Sequence, residues 1–191
     1  MLETKWIVSG SAFLTLLVRR DAATCVFLIG AIANAIFGKL LKAVFRVKRP
    51  EGSVLDDPGF PSSHAMSLFF FAAYLSAVVV NPPAGLASSS WWTPALLHAA
   101  AAAMSLHRVH SGLHTYRQVL GGAVFGWVDG RWWHRVAYGG WDLVARAEVY
   151  RSYVVVACVA ISVVGGFVVS GKDRKLRAKL AFGKKGKNRS D

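Results

Sequence analysis

Three short polar clusters interrupt a chain otherwise rich in hydrocarbon, and their side chains could do chemistry together. The first is KAVFRVKRP, in which Lys42 is followed after six residues by Arg49 and Pro50. The second is PSSH, Pro61 to His64, directly ahead of an uncharged apolar run. The third is HRVHSGLHTYRQ, in which Arg108 is followed after five residues by His114 and after three more by Gln118. Lys42, Arg49 and Arg108 are cations beside a low-dielectric region, where they call for an anion with several acceptor oxygens. Ser62 adds a hydroxyl. The backbone N–H groups of Ser63 and His64 lie at a predicted helix start, which favours phosphate. Two imidazoles complete the set. Phosphoryl transfer through histidine needs one ring as nucleophile and a second group to protonate the leaving oxygen. No carboxylate cluster stands ready for Mg²⁺, so the cations themselves would stabilise the transition state.

The elements that must position these clusters follow from composition. Of 191 residues, 54% are hydrophobic and 17% charged, below the roughly 25% charge of a soluble domain; mean hydropathy is +0.39. The reading is an integral, multi-pass membrane protein forming one domain. Six apolar stretches can be marked: Trp6–Val18, Ala22–Phe45, Ala65–Val80, Thr93–Leu106, Val119–Val128 continuing weakly to Tyr138, and Ser152–Ser170. A span takes about 20 residues, so the first is short. The fourth is Ala-rich and suits a helix packed among helices. In the fifth, Asp129, Arg131 and Arg135 must reach an interface, where Trp132 and Trp133 also belong. If all six stretches cross, the three polar clusters share one face, and the excess of Lys and Arg places that face toward the cytosol or its topological equivalent. The start, MLETKW, is not the basic region of a signal peptide, and no Arg/Ser-rich transit segment precedes the first stretch.

The net charge of +13 is uneven: the segment Lys172–Asp191 holds nine Lys/Arg against two Asp. Residues 1–171 are expected to form the membrane-embedded domain and 172–191 a disordered basic tail beside anionic lipid rather than nucleic acid. Cys25 and Cys158 lie in apolar runs and read as small core residues, not a disulfide or metal site. His107, His110 and His114 fall at i, i+3 and i+7, the spacing of a single-face metal site, but lack an acidic or Cys partner. His107 and His110 are expected at the interface, His98 packed and His134 on the surface. The run Phe69–Phe71 reads as core or lipid-facing filler.

The order Lys-x6-Arg-Pro, Pro-Ser-x-His, Arg-x5-His resembles the three-part signature of the type 2 phosphatidic acid phosphatase family over about residues 5–130. That resemblance implies an all-α fold: a polytopic transmembrane bundle of about five to six helices, shared with the haloperoxidases. It implies Lys42, Arg49, Ser62, Ser63 and Arg108 as phosphate ligands, His114 as the nucleophile and His64 as the general acid, with no metal or other cofactor. Family members usually have Gly where Ser63 stands, Ser where His107 stands and Asp where Gln118 stands. Gln118 can still accept a hydrogen bond from the nucleophile but adds no charge. Two branches are similar in having Gln at this position, the dolichyl diphosphate phosphatases and the plastid lipid phosphate phosphatases of gamma and epsilon type. TKWIVSG, DDPGFPSSHAMSLFFF and LHTYRQVLGGAVFG resemble the epsilon type most closely. Phosphatidate is then the expected substrate, diacylglycerol the product, and a plastid or endoplasmic reticulum membrane the location. A dolichyl or polyprenyl diphosphate phosphatase is the alternative enzyme. A catalytically silent membrane scaffold is the alternative outside enzymes. The sequence leaves the oligomeric state open.

Overall fold

The computed structural model describes residues 14–15, 18–51, 53, 57–81 and 91–160. The first apolar stretch, the 82–90 connection, the end of the last stretch and the basic tail lie largely or wholly outside them. All regular structure among the described residues is helical: α1 Ala22–Phe45, α2 Ser63–Val80, α3 Trp92–His110, α4 Tyr116–Tyr138, α5 Leu143–Val149 and α6 Arg151–Ala160. The chain divides into two units, Val26–Ala147, and Met1–Cys25 with Glu148–Asp191.

The larger unit holds the three polar clusters. Helices α1 and α2 are long and apolar enough to cross a membrane. Along α1, Ile29, Ile32, Ile36, Leu40 and Val44 are exposed, an apolar stripe that suits lipid and would be costly in water. The opposite face of α1 carries Gly30 against Trp133, a fully buried Asn34, and Gly38 against Met66. The Trp133 indole N–H donates to Val26 O at 2.9 Å and fastens α1 to α4.

The closest packing joins α2 to α4. Along α4, Gln118, Gly122, Gly126 and Gly130 recur every fourth residue and are buried. A Cβ at Gly122 or Gly130 would stand 2.5 Å from the carbonyl oxygen of Ser62 or Phe70, and one at Gly126 would strike Met66 O. The glycines let the two backbones meet, as small-residue stripes do in membrane helices. Phe27, Phe70, Phe71 and Tyr74 form an aromatic core on α1 and α2. So the Phe69–Phe71 run does supply core, with Phe70 fully buried. Helix α3 leans on α2 through His98, whose Nδ1 donates to Pro94 O at 2.8 Å beside Ser76 and Phe69.

His134 departs from expectation. Its ring packs against Tyr74 and Tyr138 rather than lying on the surface, because α4 continues to Tyr138 and carries it onto the aromatic core. Helix α5, which the apolar stretches missed, closes the same core with Leu143, Val144 and Ala147 around Val26, Tyr74 and Ala137.

In the smaller unit, Asp21 caps the start of α1. Its Oδ1 accepts from Thr24 N at 2.6 Å and its Oδ2 from Arg19 Nε at 2.7 Å. Cys25 and Cys158 are buried with their thiols in contact and form no disulfide.

Candidate active site

Four helix ends meet at one end of the larger unit: the finish of α1 and α3 and the start of α2 and α4. Lys42 lies in the last turn of α1. That helix stops as Arg46 takes a left-handed conformation, φ 49°, and the chain then turns back toward Arg49. Helix α3 stops at His110, and Gly112 at φ +66° allows Leu113 N to return to Arg108 O at 3.1 Å. This turn takes His114 off the helix, so His107, His110 and His114 do not share a helical face. His107 and His110 are exposed.

His114 and Gln118 are both buried, 4% and 2% exposed. Gln118 is held from three sides. Its Oε1 accepts from Thr115 N at 3.1 Å and its Nε2 donates to Lys48 O at 2.8 Å. Those partners fix which amide atom is oxygen, and that oxygen lies 3.2 Å from His114 Nδ1. Nδ1 must then carry the proton, which leaves the lone pair on Nε2. Arg49 Nη1 donates to that Nε2 at 3.0 Å and also to Leu113 O at 2.8 Å. Thr115 and Gln118 form a capping box at the start of α4. One glutamine therefore starts the helix and sets the tautomer of the histidine before it. Gly59 makes room for this: a Cβ there would stand 2.5 Å from the Gln118 amide nitrogen.

Burial and then the Arg49 charge push the His114 pKa down to about 4; the Gln118 hydrogen bond opposes them, and Arg108 and Lys42 add smaller downward effects. At neutral pH the ring is an uncharged base surrounded by cations.

Ser62 is fully buried at the N-cap position of α2. An N-cap serine ordinarily bonds an N–H of the first turn, yet the Ser62 Oγ makes no cap bond and has no partner. Its backbone N–H donates to Gln118 O at 3.0 Å, which ties α2 to α4 at this point. Arg108 Nε is likewise buried without a partner, and Arg108 lies near enough to act electrostatically on both His114 and His64. Ser63 is exposed at the first turn of α2 and His64 half-buried beside it. An unpaired hydroxyl and guanidinium N–H, buried beside two further cations, carry the polar demand that an oxyanion satisfies.

Sequence reasoning missed Asp57. Its Oδ2 is 2.6 Å from Lys42 Nζ, its Oδ1 is 2.9 Å from Arg49 Nη2, and its carbonyl accepts from Arg49 Nε at 3.0 Å. Burial alone would raise its pKa, but Lys42 and Arg49 together hold the carboxyl below its ordinary range. An acidic pair in the loop that follows Arg49, Asp56-Asp57, was the available signal.

The site is thus a buried histidine among Lys and Arg at the polar end of a helical bundle, two of whose helices are long and apolar enough to cross a membrane. A family model described as the PAP2 superfamily matches residues 22–142, and the chain belongs to that superfamily. Among curated proteins it is 31% identical over 166 residues to lipid phosphate phosphatase epsilon 2, chloroplastic, of Arabidopsis thaliana, covering 87% of this chain and 57% of that one. It is 33% identical over 141 residues to lipid phosphate phosphatase gamma of the same plant, covering 67% and 62%. The epsilon 1 protein is 30% identical over 64% of this chain and 44% of its own length. The chain thus spans about half the length of the curated relatives it matches. No solved structure matches it.

Proposed function

We propose that the protein is a metal-independent lipid phosphate phosphatase that converts phosphatidate to diacylglycerol through a phosphohistidine, in a plastid membrane. The observation that carries this reading is His114: buried, uncharged at neutral pH, and aimed by Gln118 so that its Nε2 lone pair faces the cations. Such a ring is a nucleophile once Arg49 Nη1 turns from Nε2 to the oxygens of an incoming phosphate. Lys42, Arg49 and Arg108, with the Ser62 hydroxyl and the N–H groups of Ser63 and His64, hold the phosphate oxygens. Nε2 attacks phosphorus, and the bond from phosphorus to the glycerol oxygen breaks. His64, protonated, donates its proton to that oxygen, so diacylglycerol leaves neutral. His64 then takes a proton from water as the water's oxygen attacks the phosphohistidine. The P–N bond breaks, and inorganic phosphate and free His114 result. Charge builds on the equatorial oxygens in both steps, where three fixed cations stabilise it.

The apolar stripe along α1 supports a lipid substrate, since acyl chains can stay in the bilayer while the headgroup enters at the polar end. The names of the plant relatives support both the lipid phosphate and the plastid. The test is phosphate release from phosphatidate in mixed micelles, with chelator present and with orthovanadate as inhibitor. His114→Ala and Arg108→Ala are expected to abolish release while the protein still inserts into membranes. Full activity in both variants would contradict the roles of these two residues.

A further inference from the structure

We propose that Asp57 is a specificity-determining residue that tunes the anion cradle to a phosphomonoester and against a diphosphate. The inference rests on reading the site as a phosphate cradle.

Lys42 and Arg49 are nearly buried, with side chains 12% and 6% exposed, whereas Asp57 is 52% exposed. The carboxylate therefore stands on the solvent side of two of the three cations. It is fixed there: Gly59 N donates to Val47 O at 2.7 Å, and the Asp57 carbonyl is held by Arg49 Nε. Lys42, Arg49 and Arg108 against Asp57 leave a surplus of two positive charges, apart from the proton that His64 carries for the leaving oxygen. A phosphomonoester at pH 7 carries about −1.5 to −2, which matches that surplus. A diphosphate adds a further phosphoryl group and further negative charge. With one phosphoryl group at His114, the other adds its charge within reach of Asp57, which engages Lys42 and Arg49 and repels it. Built-in repulsion of the competing ligand is a common route to specificity.

Asp57 is not needed to hold Arg49 in place, because Arg49 Nη1 is anchored independently on Leu113 O. Asp57→Asn keeps a side-chain oxygen for one cation and removes the charge. The experiment uses the full chain in detergent. Titration calorimetry measures inorganic phosphate and pyrophosphate binding, and turnover is compared on phosphatidate and a polyprenyl diphosphate. Asp57→Asn is expected to shift binding preference toward pyrophosphate by about tenfold, the effect of one partly screened charge a few ångströms away. Relative kcat/KM shifts in the same direction. Asp57→Glu, which keeps the charge, retains the wild-type preference. Equal change in both affinities, or the same shift with glutamate, overturns the inference. If the binding shift occurs but neither lipid releases phosphate, the phosphatase reading fails and the role of Asp57 stands. A wild-type chain that binds neither anion removes both.

Discussion

Replacing Gln118 by glutamate changes one atom and two interactions. The side-chain oxygen facing His114 Nδ1 at 3.2 Å becomes part of a carboxylate, and the donor to Lys48 O is lost. A negative charge about 4 Å from the imidazolium is worth about 4 kcal/mol at an effective dielectric near 20, or about three pKa units. Part of that is offset because the carboxylate is itself buried and costly to ionise. His114 should then titrate near pH 6, about two units above its wild-type value of about 4. The unpaired Lys48 carbonyl should cost about 1–3 kcal/mol of stability. The assay is imidazole NMR of histidine-labelled protein across pH, with His114→Ala identifying the resonance, beside thermal unfolding. A His114 titration that does not move would refute the claim that Gln118 is bonded to Nδ1. A shorter change, Gln118→Asp, supplies the charge but reaches Lys48 no better, so it should also destabilise.

Three other outcomes follow from single contacts. Stability should fall as pH drops from about 6.5 to about 4, because unfolded His114 takes up a proton that folded His114 refuses; the loss is about 3 kcal/mol, and denaturant melts of wild type and His114→Ala should differ by that slope. Gly126→Ala places a methyl against the Met66 carbonyl and should cost about 1–3 kcal/mol in unfolding from mild detergent. Trp133→Phe removes the bond to Val26 O and should cost about 1 kcal/mol by the same measurement.

The helical framework was legible because hydrocarbon runs of spanning length leave little choice. The stretch Ala22–Phe45 read from sequence has the same bounds as α1, between the Asp21 cap and the left-handed Arg46. The every-fourth-residue glycines of α4 lie in the sequence, but which backbone they meet is a tertiary fact. Helix α5 escaped because seven residues with two charges carry no clear apolar run. Lys42, Arg49, Arg108, His64 and His114 stand out in the sequence by residue type and spacing. Asp57 does not, since its contact with Lys42 depends on a loop folding back onto the end of α1 fifteen residues away. The double duty of Gln118 was half visible: Thr-x-x-Gln is a capping-box signal, while the reach of its amide to Lys48, 70 residues away, is not.

The most direct measurement is the fate of the phosphoryl group in a single turnover. Wild-type chain mixed with phosphatidate bearing labelled phosphate, then quenched at alkaline pH where a phosphohistidine survives, should carry the label on the peptide containing His114, bonded through Nε2. Steady turnover with no labelled protein, or with the label on another residue, would contradict the assignment of His114 as nucleophile.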